Sequence, residues 1–191
     1  MPDTDQLHQS YAEPLLRQGM VANHEALNAR LRAALIAMSE LVPDQGTNKK
    51  TGESYFSSKW LSARNLHQLP DPAFQALARM AESAANGHEW PHAGPGERRI
   101  TAMWAIVSRN GLEGRPHKHT GVISGAYYVD AGACDDTGNG AFAIFSPEGN
   151  TLLTTIQPRS GMLLLFPNTL WHGVLRYESD QPRIVISFNL S

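Results

Sequence analysis

The chain has 191 residues, 41% apolar and 18% charged, with a formal net charge of −2 and an isoelectric point near 6.4. That suffices for one substantial core, and the near-neutral balance excludes a field that would draw the protein onto nucleic acid or an anionic membrane. No apolar run reaches the roughly 18 residues of a membrane span, no basic stretch followed by an apolar run opens the chain, and the single Cys134 excludes an intrachain disulfide and a cysteine-rich zinc site. The expectation is a cytoplasmic protein with a single domain over 1–191, in which a helical part (1–99) packs on a β-rich part (100–191).

In chain order, Asn23 can cap a helix with the apolar stripe Leu27, Leu31, Ala34, Leu35, Met38 and Leu41, spaced to line one side of a cylinder. Asp44 to Ser58 is rich in Gly, Asn, Lys and Ser and reads as a loop, with Asn48-Lys49-Lys50 a solvated stretch inside it. A second helix is signalled by Asp71 as cap, Pro72 at its first position, the stripe Phe74, Leu77, Met80, Ala81 and Ala84, and Gly87 at its end. From residue 100 the pattern changes to short β-type runs: 100–108, 122–130, 141–146, 151–156, 162–167, 172–177 and 183–190. Several of these alternate apolar and polar residues, and turn residues separate them. Seven short strands with no helices between them predict a mostly β protein with N-terminal helices, built as an antiparallel sandwich or jelly roll.

Three of the eight histidines lie in the β half. His117 and His119 form an H-x-H pair in Arg115-Pro116-His117-Lys118-His119-Thr120. In extended chain, residues two apart point the same way, so two imidazoles can converge on one metal ion while Lys118 faces outward. His172 follows Met162–Pro167 after a short turn, a position that can return to the mouth from which the pair projects. Cys134 sits in a loop-like stretch with nothing nearby in sequence to lower its pKa.

The run from Arg115 to Asn189 resembles the catalytic core of the 2-oxoglutarate and iron(II)-dependent dioxygenases, in a branch related to prolyl hydroxylases. Four pieces carry the likeness: His117-Lys118-His119-Thr120-Gly121; Ser124-Gly125-Ala126-Tyr127-Tyr128-Val129-Asp130; Gly138-Asn139-Gly140-Ala141-Phe142; and Gly161 to Pro167 leading to His172-Gly173-Val174 and Arg183 to Asn189. The resemblance implies a double-stranded β-helix, with Fe(II) and 2-oxoglutarate as cofactors. It implies iron ligation by His117 and His172, and capture of the distal carboxylate of 2-oxoglutarate by Arg183. Tyr128 and Ser187 match positions that add hydroxyl donors to that carboxylate, with Tyr127 replacing Tyr128 if the strand slips by one residue. Trp104 and Trp171 are candidates either for the pocket wall or for core packing. The implied activity is oxidation of a small molecule or protein side chain, with release of succinate and CO2.

One departure stands out. The family's usual triad is two histidines and a carboxylate, but His119 stands where the carboxylate would be, and no Asp or Glu occurs from Arg115 to Val129. His119 is expected to be the third ligand; the alternatives are that it stands behind the metal with water in third place, or that iron binds with impaired oxygen activation. A cupin also remains open, since Gly111 and Gly161 fit its spacing, although it leaves Arg183 without a role. So does a barrel that binds metal or ligand without chemistry, for which zinc would suit three histidines. An edge strand of a jelly roll could also pair across a homodimer.

Overall fold

The computed structural model of the protein describes residues 16–46 and 58–191. The first segment supplies strand β1 (Arg17–Met20) and helix α1 (His24–Leu41). After it come β2 (Lys59–Leu61), a 3-10 turn (Leu66–Gln68) and helix α2 (Pro72–Asn86). Eight strands follow: β3 (Ile100–Ser108), β4 (Leu112–His117), β5 (Ile123–Asp130), β6 (Phe142–Phe145), β7 (Leu152–Ile156), β8 (Met162–Pro167), β9 (His172–Tyr177) and β10 (Arg183–Leu190). They form two antiparallel sheets, one ordered β1-β8-β5-β10-β3-β2 and the other β4-β9-β6-β7, in a jelly roll. Each of the seven strands expected from sequence forms with its ends at or within one residue of the expected ones.

Alternation along the central strands sorts side chains between two cores. Ile184, Ile186, Phe188 and Leu190 of β10 join Met103, Ala105 and Val107 of β3 and Tyr127 and Val129 of β5 against Leu31 and Leu35 of α1 and Phe74 and Leu77 of α2. The other parity faces the smaller sheet, where Val185, Ala126 and Tyr128 pack with Phe142, Ile144 and Phe166. The helices thus cover one face of the larger sheet, and the space between the sheets is left for the site.

Local chemistry explains the helix ends. The Asp71 side chain accepts the Ala73 N–H at 2.7 Å, Pro72 opens α2, and the Gly87 N–H closes on the Ser83 carbonyl at 2.9 Å. Asn23 behaves differently from its expected role. It adopts a left-handed backbone (φ 53°) and makes no side-chain cap, so α1 is held by packing rather than by a cap. Leu41, expected on the buried stripe, is 82% exposed: it is the last residue of the helix, six past Leu35, the last buried position of α1.

Three strands carry no strong sequence signal. β1 is mostly exposed and exists by backbone pairing with β8, Arg17 opposite Leu165 through Met20 opposite Met162. β2 is held by pairing with β3 and by Asp44, whose carboxylate accepts the Leu61 N–H at 2.8 Å. β4 contains Gly114 and Pro116, and its register to β9 shifts twice. Most of the expected loop from Asp44 to Ser58, including Asn48-Lys49-Lys50, lies outside the described residues. No helix among the described residues is long and apolar enough to cross a membrane.

Gly125 of β5 marks the tightest approach in the larger sheet. A Cβ there would lie 2.2 Å from the Phe188 ring and 2.9 Å from the Leu164 carbonyl, whereas one at Gly19 of β1 meets nothing within 4 Å. Gly125→Ala is therefore expected to lower stability by about 3 kcal/mol or more, and Gly19→Ala to stay within about 0.5 kcal/mol of wild type. Urea midpoints of the two variants check this contrast.

Candidate active site

The three histidines are brought together by strand pairing. His117 closes β4 and His172 opens β9, and the two are direct cross-strand partners. His119 follows β4 in the connecting loop, where its backbone N–H donates to the Asn168 carbonyl at 3.1 Å, tying it to the turn before β9. The ligating atoms of all three lie within 4.8 Å of one another, and the ring centroids are 4.5 to 5.1 Å apart.

Each ring is fixed in the same tautomer from behind. His117 Nδ1 donates to the Arg115 carbonyl at 2.8 Å and His172 Nδ1 to the Leu170 carbonyl at 2.9 Å. His119 Nδ1 donates at 2.9 Å to Asn189 Oδ1, which also accepts the Ser124 hydroxyl at 3.2 Å. A carbonyl oxygen can only accept, so these contacts place the proton on Nδ1 and leave the Nε2 lone pairs turned inward. Nε2 of His117 and Nε2 of His119 then face each other at 3.1 Å. Two lone pairs at that distance repel unless a proton or cation lies between them. Nitrogens bound to one ion at about 2.1 Å sit roughly 3.0–3.4 Å apart, so the donor set fits a metal.

Electrostatics point the same way. His172 is 5% exposed and packed between Phe142 and Phe166, ring centroids 5.3 and 4.7 Å away. Burial, then the nearby His117, pushes its pKa down to about 3. Burial also lowers the pKa of His119, against the hydrogen bond it donates to Asn189, which raises it. Both are held neutral, as metal ligation requires.

A cavity of about 370 Å³ extends from the histidines between the sheets, and Arg183, Tyr128, Ser187 and Trp104 all line it; no aspartate or glutamate among the described residues does. Arg183 is 2% exposed. It has no carboxylate partner among the described residues, and its buried Nε makes no protein hydrogen bond. Its guanidinium lies 5.2 Å from the Tyr128 ring. A buried, uncompensated cation is costly, and this one is presented to a cavity that could admit an anion. Tyr128 is fully buried and its hydroxyl is pushed up to about 12 by burial, opposed by Arg183, so it stays a neutral donor.

The register is settled at the tyrosines. Tyr127 faces the helices and donates to Asn28 Oδ1 at 2.6 Å, and Tyr128 faces the cavity. Trp104 lines the cavity and stacks on His119 at 5.5 Å. Trp171 does not line it; this ring closes over the turn at Gly149 and takes the Lys118 ammonium 4.8 Å from its centroid. Lys118 is exposed, at the rim. Cys134 has an electrostatic neighbour the sequence did not reveal, since Arg183 acts to lower its pKa, but burial outweighs this and leaves the thiol raised. Asn189 was missed as a functional residue. Its place six residues after Arg183 on the same strand, and so on the same face, was the available signal.

Two predictions follow from the anchored rings. Asn189→Ala removes the acceptor behind His119 and should weaken metal affinity roughly 10- to 100-fold, measured by titration against a competing chelator. For His172, the folded pKa lies below the ordinary 6.5, so between 6.5 and about 3 the unfolded chain binds a proton the native state does not. Stability of the metal-free protein therefore falls as pH drops through that window and is fully present above it. Urea midpoints across the range check it, and His172→Gln should flatten the slope.

Residues 102–189 match the model of the family described as "Putative 2OG-Fe(II) oxygenase". No curated protein matches the chain by sequence. Among solved structures, a Pseudomonas putida prolyl-4-hydroxylase is similar with a TM-score of 0.68 and 15% identity, covering 100% of each chain. A Trichoplax adhaerens prolyl hydroxylase in complex with a hypoxia inducible factor peptide is similar at 0.67 and 12%, covering 97% of this chain and 90% of that one. HygX from Streptomyces hygroscopicus, solved with nickel and 2-oxoglutarate, is similar at 0.66 and 12%, covering 97% and 86%. At these identities the likeness is one of fold. The family match runs from within β3 to within β10, so it covers almost the whole jelly roll and just under half of the chain, and over that span the chain is similar to this family.

Proposed function

We propose that the protein is a non-haem iron(II) and 2-oxoglutarate-dependent oxygenase that hydroxylates an organic substrate with release of succinate and CO2. In this reading His117, His119 and His172 hold the metal, and Arg183, assisted by the Tyr128 and Ser187 hydroxyls, holds the distal carboxylate of 2-oxoglutarate. The observation that carries it is Arg183, a buried guanidinium without an acidic partner among the described residues, in the cavity that the three imidazoles line. A cupin or a simple metal-binding barrel has no use for such a charge.

When bound, iron(II) with 2-oxoglutarate supplies the oxidising power, one atom of O2 entering succinate as CO2 leaves and the other entering a substrate C–H bond. The chain's own groups do the positioning. Arg183 offers paired N–H donors to a carboxylate in a setting shielded from water, where such bonds are strong. Tyr128 donates a hydroxyl that does not ionise in the working range, and Ser187, opposite Trp104 on β3 and Ala126 on β5, adds another. Phe142, Phe166 and Val185 exclude water from the inner end. Three neutral imidazoles leave the centre one unit more positive than two imidazoles and a carboxylate, which strengthens its hold on anionic ligands.

The test is anaerobic addition of Fe(II) and then 2-oxoglutarate, read as the weak visible charge-transfer band of the chelate. Wild type should develop it. Arg183→Met, which keeps side-chain bulk, should raise the concentration of 2-oxoglutarate needed roughly 100-fold. The same variant should unfold at the same or a higher temperature than wild type without ligands, because it removes an unpaired buried charge. Bound metal with no band in wild type would instead favour a cupin-type enzyme or a non-catalytic binding barrel, and a strong preference for zinc would support the latter.

A further inference from the structure

The cavity holds more positive charge than one cosubstrate calls for. Beyond Arg183 it is lined by Lys59, Arg64 and Lys118, again with no aspartate or glutamate among the described residues. Arg183 is buried, whereas Arg64 and Lys118 are exposed, so they stand at the mouth, where a substrate enters. Lys59 is in electrostatic contact with Asp44, and the inference does not rest on it.

Arg64 is held in place. Its carbonyl accepts the Met103 N–H at 2.9 Å, Asn65 bridges to Met103, and Ser62 exchanges hydrogen bonds with Ala105 at 2.8 and 3.0 Å. The segment before the 3-10 turn is thereby pinned along β3. Its guanidinium lies 4.3 Å from the Trp104 ring centroid, and Trp104 is the ring that stacks on His119. One indole therefore separates this arginine from the candidate metal site. Arg64 has no carboxylate partner among the described residues. A guanidinium held over an aromatic ring by its charge keeps N–H donors for a third group, and the contact restricts its motion beforehand. Lys118 is steadied in the same manner over Trp171. The cavity wall also includes the apolar Leu61, Ile106, Leu112 and Val174.

We propose that the substrate is a low-molecular-mass organic anion, a carboxylate or phosphate ester with a compact apolar body, whose charged group is gripped by Arg64 and Lys118 while its carbon skeleton lies along Trp104 towards the three histidines. A cavity of about 370 Å³ that also takes 2-oxoglutarate has room for a body of about one ring. The inference rests on the oxygenase reading above and adds the class of molecule oxidised.

The test uses the anaerobic protein loaded with Fe(II) and 2-oxoglutarate, titrated by calorimetry with phenylacetate, phenyl phosphate and the neutral phenylacetamide. The charge-transfer band is recorded first; its absence in wild type is a failure of the oxygenase reading, and the anion inference is judged only on samples that show it. At least one anion should bind roughly tenfold or more tightly than the amide, and the tighter of the two decides between carboxylate and phosphate. In Arg64→Gln that ratio should approach one, and in Lys118→Gln it should fall by a smaller factor, which keeps a readout if the arginine variant folds poorly. Equal binding of amide and anions, no anion binding tighter than about 10 mM, a ratio unchanged in both variants, or anion binding only with loss of the band would each overturn the proposal.

Discussion

Strand β10 sits between β3 and β5, and its alternation is the constraint on which the core and the site both depend. Ile184, Ile186, Phe188 and Leu190 fill the core under the helices, while Arg183, Val185, Ser187 and Asn189 face the cavity. Side chains alternate with a period of two, so a slip of one residue would send the arginine into the helix-side core and four apolar residues into the site. The burial that fixes the core therefore fixes the candidate site, and placing its side chains needs no separate source of stability.

That coupling explains how the molecule can keep a charge where charges are expensive. An isolated buried cation destabilises a fold, and among the described residues Arg183 has the Tyr128 side chain and the Cys134 thiol beside it but no carboxylate. It persists because the strand carrying it is paired on both sides, opposite Ser108 on β3 and continuing opposite β5. The stability withheld in the free protein is available to bind a carboxylate, which is how preorganised sites gain affinity.

The histidines show a related economy. Each Nδ1 is held by an oxygen from a different part of the chain: a carbonyl two residues back for His117 and His172, and the Asn189 side chain for His119. Asn189 stands behind His119, and it is tied to Ser124 on the neighbouring strand. An uncharged amide there orients the imidazole without adding negative charge. The histidines, the inner arginine and the rim together line a cavity with no acidic side chain among the described residues.

Much of this was legible in the sequence. Strand positions follow from the alternation of Val, Ile, Phe and Tyr between turn residues, because period-two burial is a local property. The convergence of His117 and His119 follows from their spacing, and the approach of His172 from the length of the turn after β8. The roles of Arg183, Tyr128 and Ser187 entered through family resemblance, and spacing alone did not supply them. Other features belong to the tertiary structure. β1 and β2 form because sheet edges offer unpaired backbone groups, which leave no mark on side-chain patterns. Leu41 is exposed at the end of α1, past the last buried position of the helix, and Trp171 is excluded from the cavity because it is claimed by the Gly149 turn. Asn189 behind His119 and Arg64 on Trp104 join residues 70 and 40 positions apart. Local sequence determines which way a side chain points along its own strand; only the folding of strands against one another determines what it meets.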